Sequence, residues 1–303
     1  MKIIIAGGTG FLGRPLGEAL ARDGHEIVML SRRASENAAA GQPFSRVSWT
    51  PDGTLGPWAS VVEGAGAIVN LAGEPIAAKR WTEAQKQRIL DSRVLATRSL
   101  AAAINRAAQP PAVFVSGSGV GFYGPLGDEM ASEDHPAGTD FLARVCAAWE
   151  DEAAPAASAA TRVVRIRTGL VLERDGGALP KMLPPFWFGM GGPVGSGRQY
   201  WPWIHRADWV DFVRWTITSA AAAGAFNVSA PTPVTNAEFA RALGRALHRP
   251  AFMPAPAFAM KIALGEMADA LLLSGQRAVP AKAERLGFTF RYKTLDEALR
   301  AIF

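Results

Sequence analysis

The run Lys2-Ile3-Ile4-Ile5-Ala6-Gly7-Gly8-Thr9-Gly10-Phe11-Leu12-Gly13 constrains the chain more than any other segment. An apolar stretch of strand character ends in glycines and passes directly into a helical pattern, in which Leu12, Leu16, Ala19 and Leu20 share one face. This is the arrangement of a dinucleotide-binding turn. Gly7 permits the tight turn out of the strand, Gly10 lets the backbone approach a pyrophosphate, and Gly13 lets the helix pack closely on the sheet. The phosphates then lie over the helix N-terminus, where unpaired N–H groups and the helix dipole offset their charge without a dedicated lysine. Thr9, Phe11 and Leu12 complete the expected set of contacts in this turn. A structural glycine turn is the alternative, and the strand before it and helix after it favour the nucleotide.

The next strand, His25-Glu26-Ile27-Val28-Met29-Leu30, ends in Ser31-Arg32-Arg33. An NAD site places Asp or Glu there for the ribose 2′-hydroxyl, whereas Ser31 and Arg32 suit a 2′-phosphate, so the expected cofactor is NADP(H). The alternative is a solvated arginine pair. A third buried run, Ala67-Ile68-Val69-Asn70, delivers Leu71, Ala72, Gly73 and Glu74 to the same edge, where small residues leave room for ribose and adenine. A helix from Thr82, with Gln85 completing a capping box, carries Arg93, which either reaches back to the cofactor or forms a surface ion pair. The strand Ala112–Val115 then brings Ser116, Ser118 and Tyr123 toward the nicotinamide. Residues 34–64 read as a loop-heavy connection with a short extended piece around Val47-Ser48-Trp49.

Strands alternating with helices predict an α/β fold, a Rossmann-type doubly wound parallel sheet, with a smaller, mainly helical C-terminal substrate lobe. The expected division assigns 1–172 and 204–230 to the nucleotide-binding domain and 173–203 and 231–303 to the lobe. Residues 176–203 crowd glycine and proline around Phe186-Trp187-Phe188 and Trp201-Pro202-Trp203, which reads as a binding-site wall or a packing seam. A length of 303 residues with 49% hydrophobic content supports a large core. The single Cys146 excludes a disulfide framework and a cysteine metal cluster, and no metal is expected. The net charge of +5 comes from scattered basic residues, giving no nucleic-acid partner and no membrane partner. Met1 leads straight into the first strand, so the expected location is cytoplasmic, as monomer or homodimer.

On these motifs the chain resembles the short-chain dehydrogenase/reductase superfamily, in its extended, epimerase-like branch. Gly7–Gly13 is similar to that branch's cofactor turn, Asn70–Gly73 to its third-strand motif, and Ser116-Gly117-Ser118 to its catalytic-serine strand. Further segments, Gly121-Phe122-Tyr123-Gly124, Gly197-Arg198-Gln199 with Trp203-Ile204-His205, and Ser274-Gly275-Gln276-Arg277, resemble an atypical subfamily with an extra C-terminal helical domain. The resemblance implies an oxidoreductase or epimerase acting on a small molecule through a Tyr and a Lys one helical turn later. At the expected helix this chain carries Phe141 and Val145, and none of its tyrosines is followed four residues on by Lys. Ser118 and Tyr123 are therefore the candidate catalytic hydroxyls. The competing reading is a non-catalytic NADP-binding redox sensor or protein-partner module.

Overall fold

The computed structural model describes residues 1–32 and 44–303; Arg33 lies outside the described residues. Seven parallel strands form the central sheet: β1 (Lys2–Ala6), β2 (Glu26–Ser31), β3 (Phe44–Ser48), β4 (Ala67–Asn70), β5 (Val113–Gly119), β6 (Arg162–Thr168) and β7 (Gly224–Val228). Their spatial order is β7-β6-β5-β4-β1-β2-β3, so the strand order reverses on either side of β1. In open sheets of this kind ligands bind outside the strands' carboxyl ends, at that reversal. The sequence reading is corrected at β3. Phe44–Ser48 is an edge strand paired along its length with Ile27–Ser31, although only Phe44 is buried within it. One-sided burial leaves a weak periodic signal.

Both faces of the sheet are covered. Ile3, Ile5, Leu16, Met29 and Val115 join Trp209, Phe212 and Val213 on one face, which places α1 (Gly13–Arg22) and the helix Arg206–Thr218 there. On the other face Ile4, Ile68 and Phe114 pack against Ala96, Leu100 and Ile104 of α2 (Glu83–Arg106), joined by Ala153 of α3 (Phe141–Ala153). Strands buried on both sides read as continuous apolar runs, which is why β1, β4 and β5 are legible in sequence.

A third cluster joins Leu172, Leu179, Leu183, Phe186, Trp201 and Trp203 to Phe239, Leu243, Leu295 and Leu299. It contains α4 (Leu179–Trp187) and, after α5 (Arg206–Thr218), the helix α6 (Asn236–Leu247) and the terminal helix Leu295–Ile302. Trp201 and Trp203 are buried inside it, with Trp201 edge-on to Phe239 at 5.4 Å between ring centroids. They are core, so of the two readings open in sequence this pair takes the packing seam and not the binding-site wall. Among the described residues no helix is long and apolar enough to cross a membrane.

Candidate functional site

The turn after β1 is shaped by contact with the end of β4. Gly7 has φ +76°, and a Cβ built on it would stand 2.7 Å from the carbonyl carbon and oxygen of Leu71. On Gly13 a Cβ would lie 2.5 Å from the Gly7 carbonyl oxygen and 2.6 Å from Gly8 Cα. Any side chain at either position would push the turn off the sheet, so both glycines are required by backbone packing. The Gly10 N–H donates to the Gly7 carbonyl at 3.1 Å, and no side chain caps the start of α1. Thr9 and Gly10 are exposed and Phe11 and Leu12 half-buried at this open helix terminus. These observations describe a cradle into which a pyrophosphate fits.

Neighbouring strand ends complete the rim. β1 and β4 are in register from Ile3↔Ala67 to Ala6↔Asn70, and the Leu71 N–H donates to the Ala6 carbonyl at 2.9 Å. Leu71, Ala72 and Gly73 therefore lie directly beside the turn. On the other side Ala6 pairs with Leu30, which leaves Ser31 half-buried and Arg32 exposed one step beyond. The Phe11 ring is capped from outside: Cβ atoms on Gly176 and Gly177 would meet it at 2.5 and 2.9 Å, and the Arg206 guanidinium stands 5.2 Å from its centroid. Arg206 is itself held by Glu173 at 3.2 Å and by Asp175.

Arg93 lies under this rim. Its Nη1 donates to the carbonyls of Glu74 and Ile89, each at 3.0 Å, and its guanidinium stands 5.1 Å from the Trp149 ring. A Cβ on Gly73 would be 3.1 Å from Arg93 Cζ. Burial pulls its pKa below the usual guanidinium value, with Cys146 and Glu74 acting in the opposite direction. Arg93 thus braces the Gly73-Glu74 loop from below. Ser116, fully buried beside its register partner Asn70, sits in the sheet beneath the same loop.

Ser118 and Tyr123 turn inward. Ser118 Oγ donates to Glu150 Oε1 at 2.8 Å, and Arg167 clamps the same carboxylate through Nε at 2.8 Å and Nη2 at 2.9 Å. Arg167 Nη1 also donates to the Tyr123 hydroxyl at 2.9 Å, which in turn donates to Asn227 Oδ1 at 2.7 Å. Asn227 Nδ2 closes the chain onto the carbonyls of Ala131 and Val279. Tyr123 is 1% exposed, and burial raises its pKa above the ordinary phenol value. Both hydrogen-bonding directions of its hydroxyl are already used. Beside Ser118, burial pushes the Cys146 thiol up to about 11.

The sequence reading missed Glu150, Arg167 and Asn227. The one available signal was Arg165 and Arg167 alternating within an otherwise apolar strand, since an arginine on a buried face requires a carboxylate partner. At the helix where the resemblance expects Tyr and Lys, Val145 is buried and Phe141 packs edge-on against Trp81 at 5.0 Å, with Lys86 Nζ 5.6 Å above its ring. His205 Nδ1 accepts from the Ala207 N–H at 3.0 Å, and the Asp208 carboxylate accepts from the N–H groups of Arg291 and Tyr292. Among the described residues no cluster of metal-ligating side chains occurs.

Comparison with known proteins agrees with this geometry. Residues 3–229 match the NAD dependent epimerase/dehydratase family, and residues 255–302 match a domain of unknown function, DUF1731. An epimerase family protein of Mycobacterium leprae is 40% identical over 297 residues, covering 98% of this chain and 94% of that protein. The human epimerase family protein SDR39U1, solved with NADPH, superposes with a TM-score of 0.90 at 37% identity, covering 100% of this chain and 99% of that one. A nucleoside-diphosphate sugar epimerase of Corynebacterium glutamicum gives a TM-score of 0.80 at 34% identity, covering 100% of this chain and 58% of its own. With a cofactor cradle at the switch point of a parallel sheet and a family match over three quarters of its length, the chain belongs to the NAD dependent epimerase/dehydratase family.

Proposed function

We propose that the protein is an NADP(H)-dependent oxidoreductase or epimerase whose proton chemistry does not use the Tyr and Lys pair of its superfamily. The observation that carries the cofactor assignment is Arg32, exposed at the carboxyl end of β2 beside a turn that admits no side chain at Gly7 or Gly13. NADPH bound to the human relative supports the same assignment. Gly7, Thr9, Gly10, Phe11, Leu12 and Gly13 would hold the pyrophosphate, Ser31 and Arg32 the 2′-phosphate, and Leu71, Ala72, Gly73 and Glu74 the adenosine ribose and adenine. Arg93 and Ser116 support that loop from below. The cofactor, when bound, supplies or accepts a hydride.

Ser118 is the proposed substrate-orienting residue. Its hydroxyl hydrogen is directed at Glu150, so its remaining lone pairs accept a hydrogen bond and do not donate one. Such a group orients a substrate hydroxyl. Tyr123 is proposed to keep that arrangement in place through Arg167. The second reading, a redox sensor or partner module that binds NADP(H) without turnover, is favoured by the apolar pair Phe141 and Val145.

Calorimetric titration with NADPH and NADH tests the cofactor. Preference for NADPH by about tenfold to a hundredfold is expected from a charge-assisted phosphate contact, and Arg32→Ala should abolish it. Equal affinities would reject the assignment. Single-turnover absorbance of NADP⁺ with a panel of alcohols and nucleotide sugars, comparing the parent with Ser118→Ala, separates the two readings. Tight binding with no reduction across the panel selects the sensor.

A further inference from the structure

Arg93 carries hydrogen-bond donors that the rest of the chain leaves unused. Its Nη1 is engaged by the carbonyls of Glu74 and Ile89, but among the described residues Nε and Nη2 have no acceptor and no carboxylate forms an ion pair with this side chain. Guanidinium presents five N–H groups on a rigid planar fork, and leaving several of them unpaired on a half-buried side chain is unfavourable unless another group accepts from them. The arginines of β6 differ. Arg167 is clamped to the Glu150 carboxylate, and Arg162 donates through both Nη atoms to the carbonyls of Ala222 and Ile217.

Packing fixes where these donors stand. A Cβ on Gly73 would lie 3.3 Å from Arg93 Nη1, so that nitrogen faces the loop after β4. The guanidinium rests on the ring of Trp149 in α3, and Trp149 is pressed against β5, where a Cβ on Gly117 would meet its ring at 2.6 Å. The Trp149 indole N–H is also buried without an acceptor. One turn earlier on α3, the Cys146 thiol meets the Ser118 hydroxyl and the Gly119 backbone, and its charge is coupled to that of Arg93. Arg93 therefore sits between the carboxyl ends of β4 and β5, with the Gly73-Glu74 loop on one side and the neighbours of Ser118 on the other. From α3 itself no cation enters this gap, because its one basic residue, Arg144, is exposed and donates to the Thr139 carbonyl.

We propose that Arg93 binds the nicotinamide half of NADP(H), with Nε and Nη2 donating to the hydroxyls of the nicotinamide ribose. The assignment rests on the cofactor reading above and extends it to the other end of the ligand. Along the sheet edge, in the order β2, β1, β4, β5, stand Arg32, the glycine turn and then Arg93. A dinucleotide held by its 2′-phosphate at the first and its pyrophosphate at the second brings its other ribose to the third. Two vicinal hydroxyl oxygens match the two-donor edge of a guanidinium, and a charged donor makes such contacts stronger than neutral ones. Arg93 then fixes the nicotinamide end beside Ser118, a positioning role carried by α2.

The test is calorimetric titration of the full-length protein and its Arg93→Met variant with NADPH, with 2′-phospho-ADP-ribose, which keeps the second ribose but lacks nicotinamide, and with 2′,5′-ADP, which lacks both. Arg93→Met should weaken NADPH and 2′-phospho-ADP-ribose by about tenfold to a hundredfold and leave 2′,5′-ADP within about twofold. Equal weakening of every probe would show that Arg93 acts only by bracing the Gly73-Glu74 loop, and would overturn the proposal. So would unchanged affinity for all of them, or a loss confined to NADPH, which would put the contact on the nicotinamide ring. Where Arg93→Met does not fold, Arg93→Gln, which keeps an amide donor for the Glu74 carbonyl, is read by the same comparison. A parent that binds none of the probes would overturn the cofactor reading itself, a result distinct from a parent that binds them and a variant that loses nothing.

Discussion

The Glu150–Arg167 pair decides how the interior of the site responds to substitution. Both side chains are buried, and the carboxylate takes three hydrogen bonds, two from Arg167 and one from Ser118. Arg165 Nη1 stands a further 3.7 Å from Glu150, so removing Glu150 is the substitution that leaves the buried Arg167 guanidinium without a carboxylate in a region of low dielectric. Glu150→Gln should therefore destabilise the fold by about 3–5 kcal/mol in chemical denaturation, whereas Glu150→Leu with Arg167→Met should cost much less. His205 supplies a pH-dependent term. Burial lowers its pKa from 6.5, with Glu173 acting against the shift and Arg206 and Arg291 adding to it, while the ring caps α5 through Nδ1 and stacks on Tyr292 at 4.1 Å. Below pH 6.5 the unfolded chain binds more protons at this site than the folded one, so stability is intact above about 6.5 and is lost as pH falls below it. A His205→Gln variant should show a flatter stability profile over that range, and an unchanged slope would remove His205 from the account. The glycines of the first turn are readable from sequence because one local conformation requires them. Glu150, Arg167 and Asn227 are not, because their partners lie on separate strands and helices that only the tertiary fold brings together.

Local signals served the helices well where both halves of a motif face each other. Thr235 and Glu238 form a complete capping box at α6, as do Thr294 and Glu297 at the terminal helix. At α2 the reading was half right. Thr82 accepts from the Gln85 N–H at 3.2 Å, but the Gln85 side chain turns to Glu74 and Arg88 instead of back to the cap. The pull of a neighbouring loop outweighed the local motif, which spacing alone does not reveal. α6 presents Phe239 and Leu243 to the lobe core, so its start is coupled to that packing. Thr235→Ala should cost about 1 kcal/mol by loss of the cap, measured by denaturant midpoint, and Thr235→Ser should restore most of it. β3 shows the opposite case: its pairing with β2 comes from the sheet edge, and its own alternation is too weak to announce a strand.

For the whole molecule, the C-terminal segment is part of the nucleotide-binding half as well as of the lobe. Arg277–Ala278 adds a parallel pair to Met130–Ala131, Lys282 N–H donates to Glu133 Oε2 at 3.1 Å, and Glu133 Oε1 accepts from the Asn227 N–H of β7. Further on, the N–H groups of Arg291 and Tyr292 satisfy the fully buried Asp208 on α5, while Phe288 and Phe290 pack in the same cluster as β1 and β6. Sequence pattern places this segment in a separate lobe because its helices are short and its contacts to the sheet are single residues dispersed between Arg277 and Tyr292. Truncation after Pro254 would therefore leave Asp208 without its backbone donors, remove the Lys282 N–H from Glu133 and open the core around Phe212, whose ring meets Phe288 at 5.1 Å. The full chain should unfold in one calorimetric transition, shifted upward by NADPH by about 2.7 kcal/mol at a hundredfold excess over its Kd. The truncated chain should lose near-UV circular dichroism and the NADPH-dependent shift together. A truncated chain that kept a cooperative transition and bound NADPH would show instead that residues 1–254 fold independently, and that the contacts through Glu133 and Asp208 are dispensable.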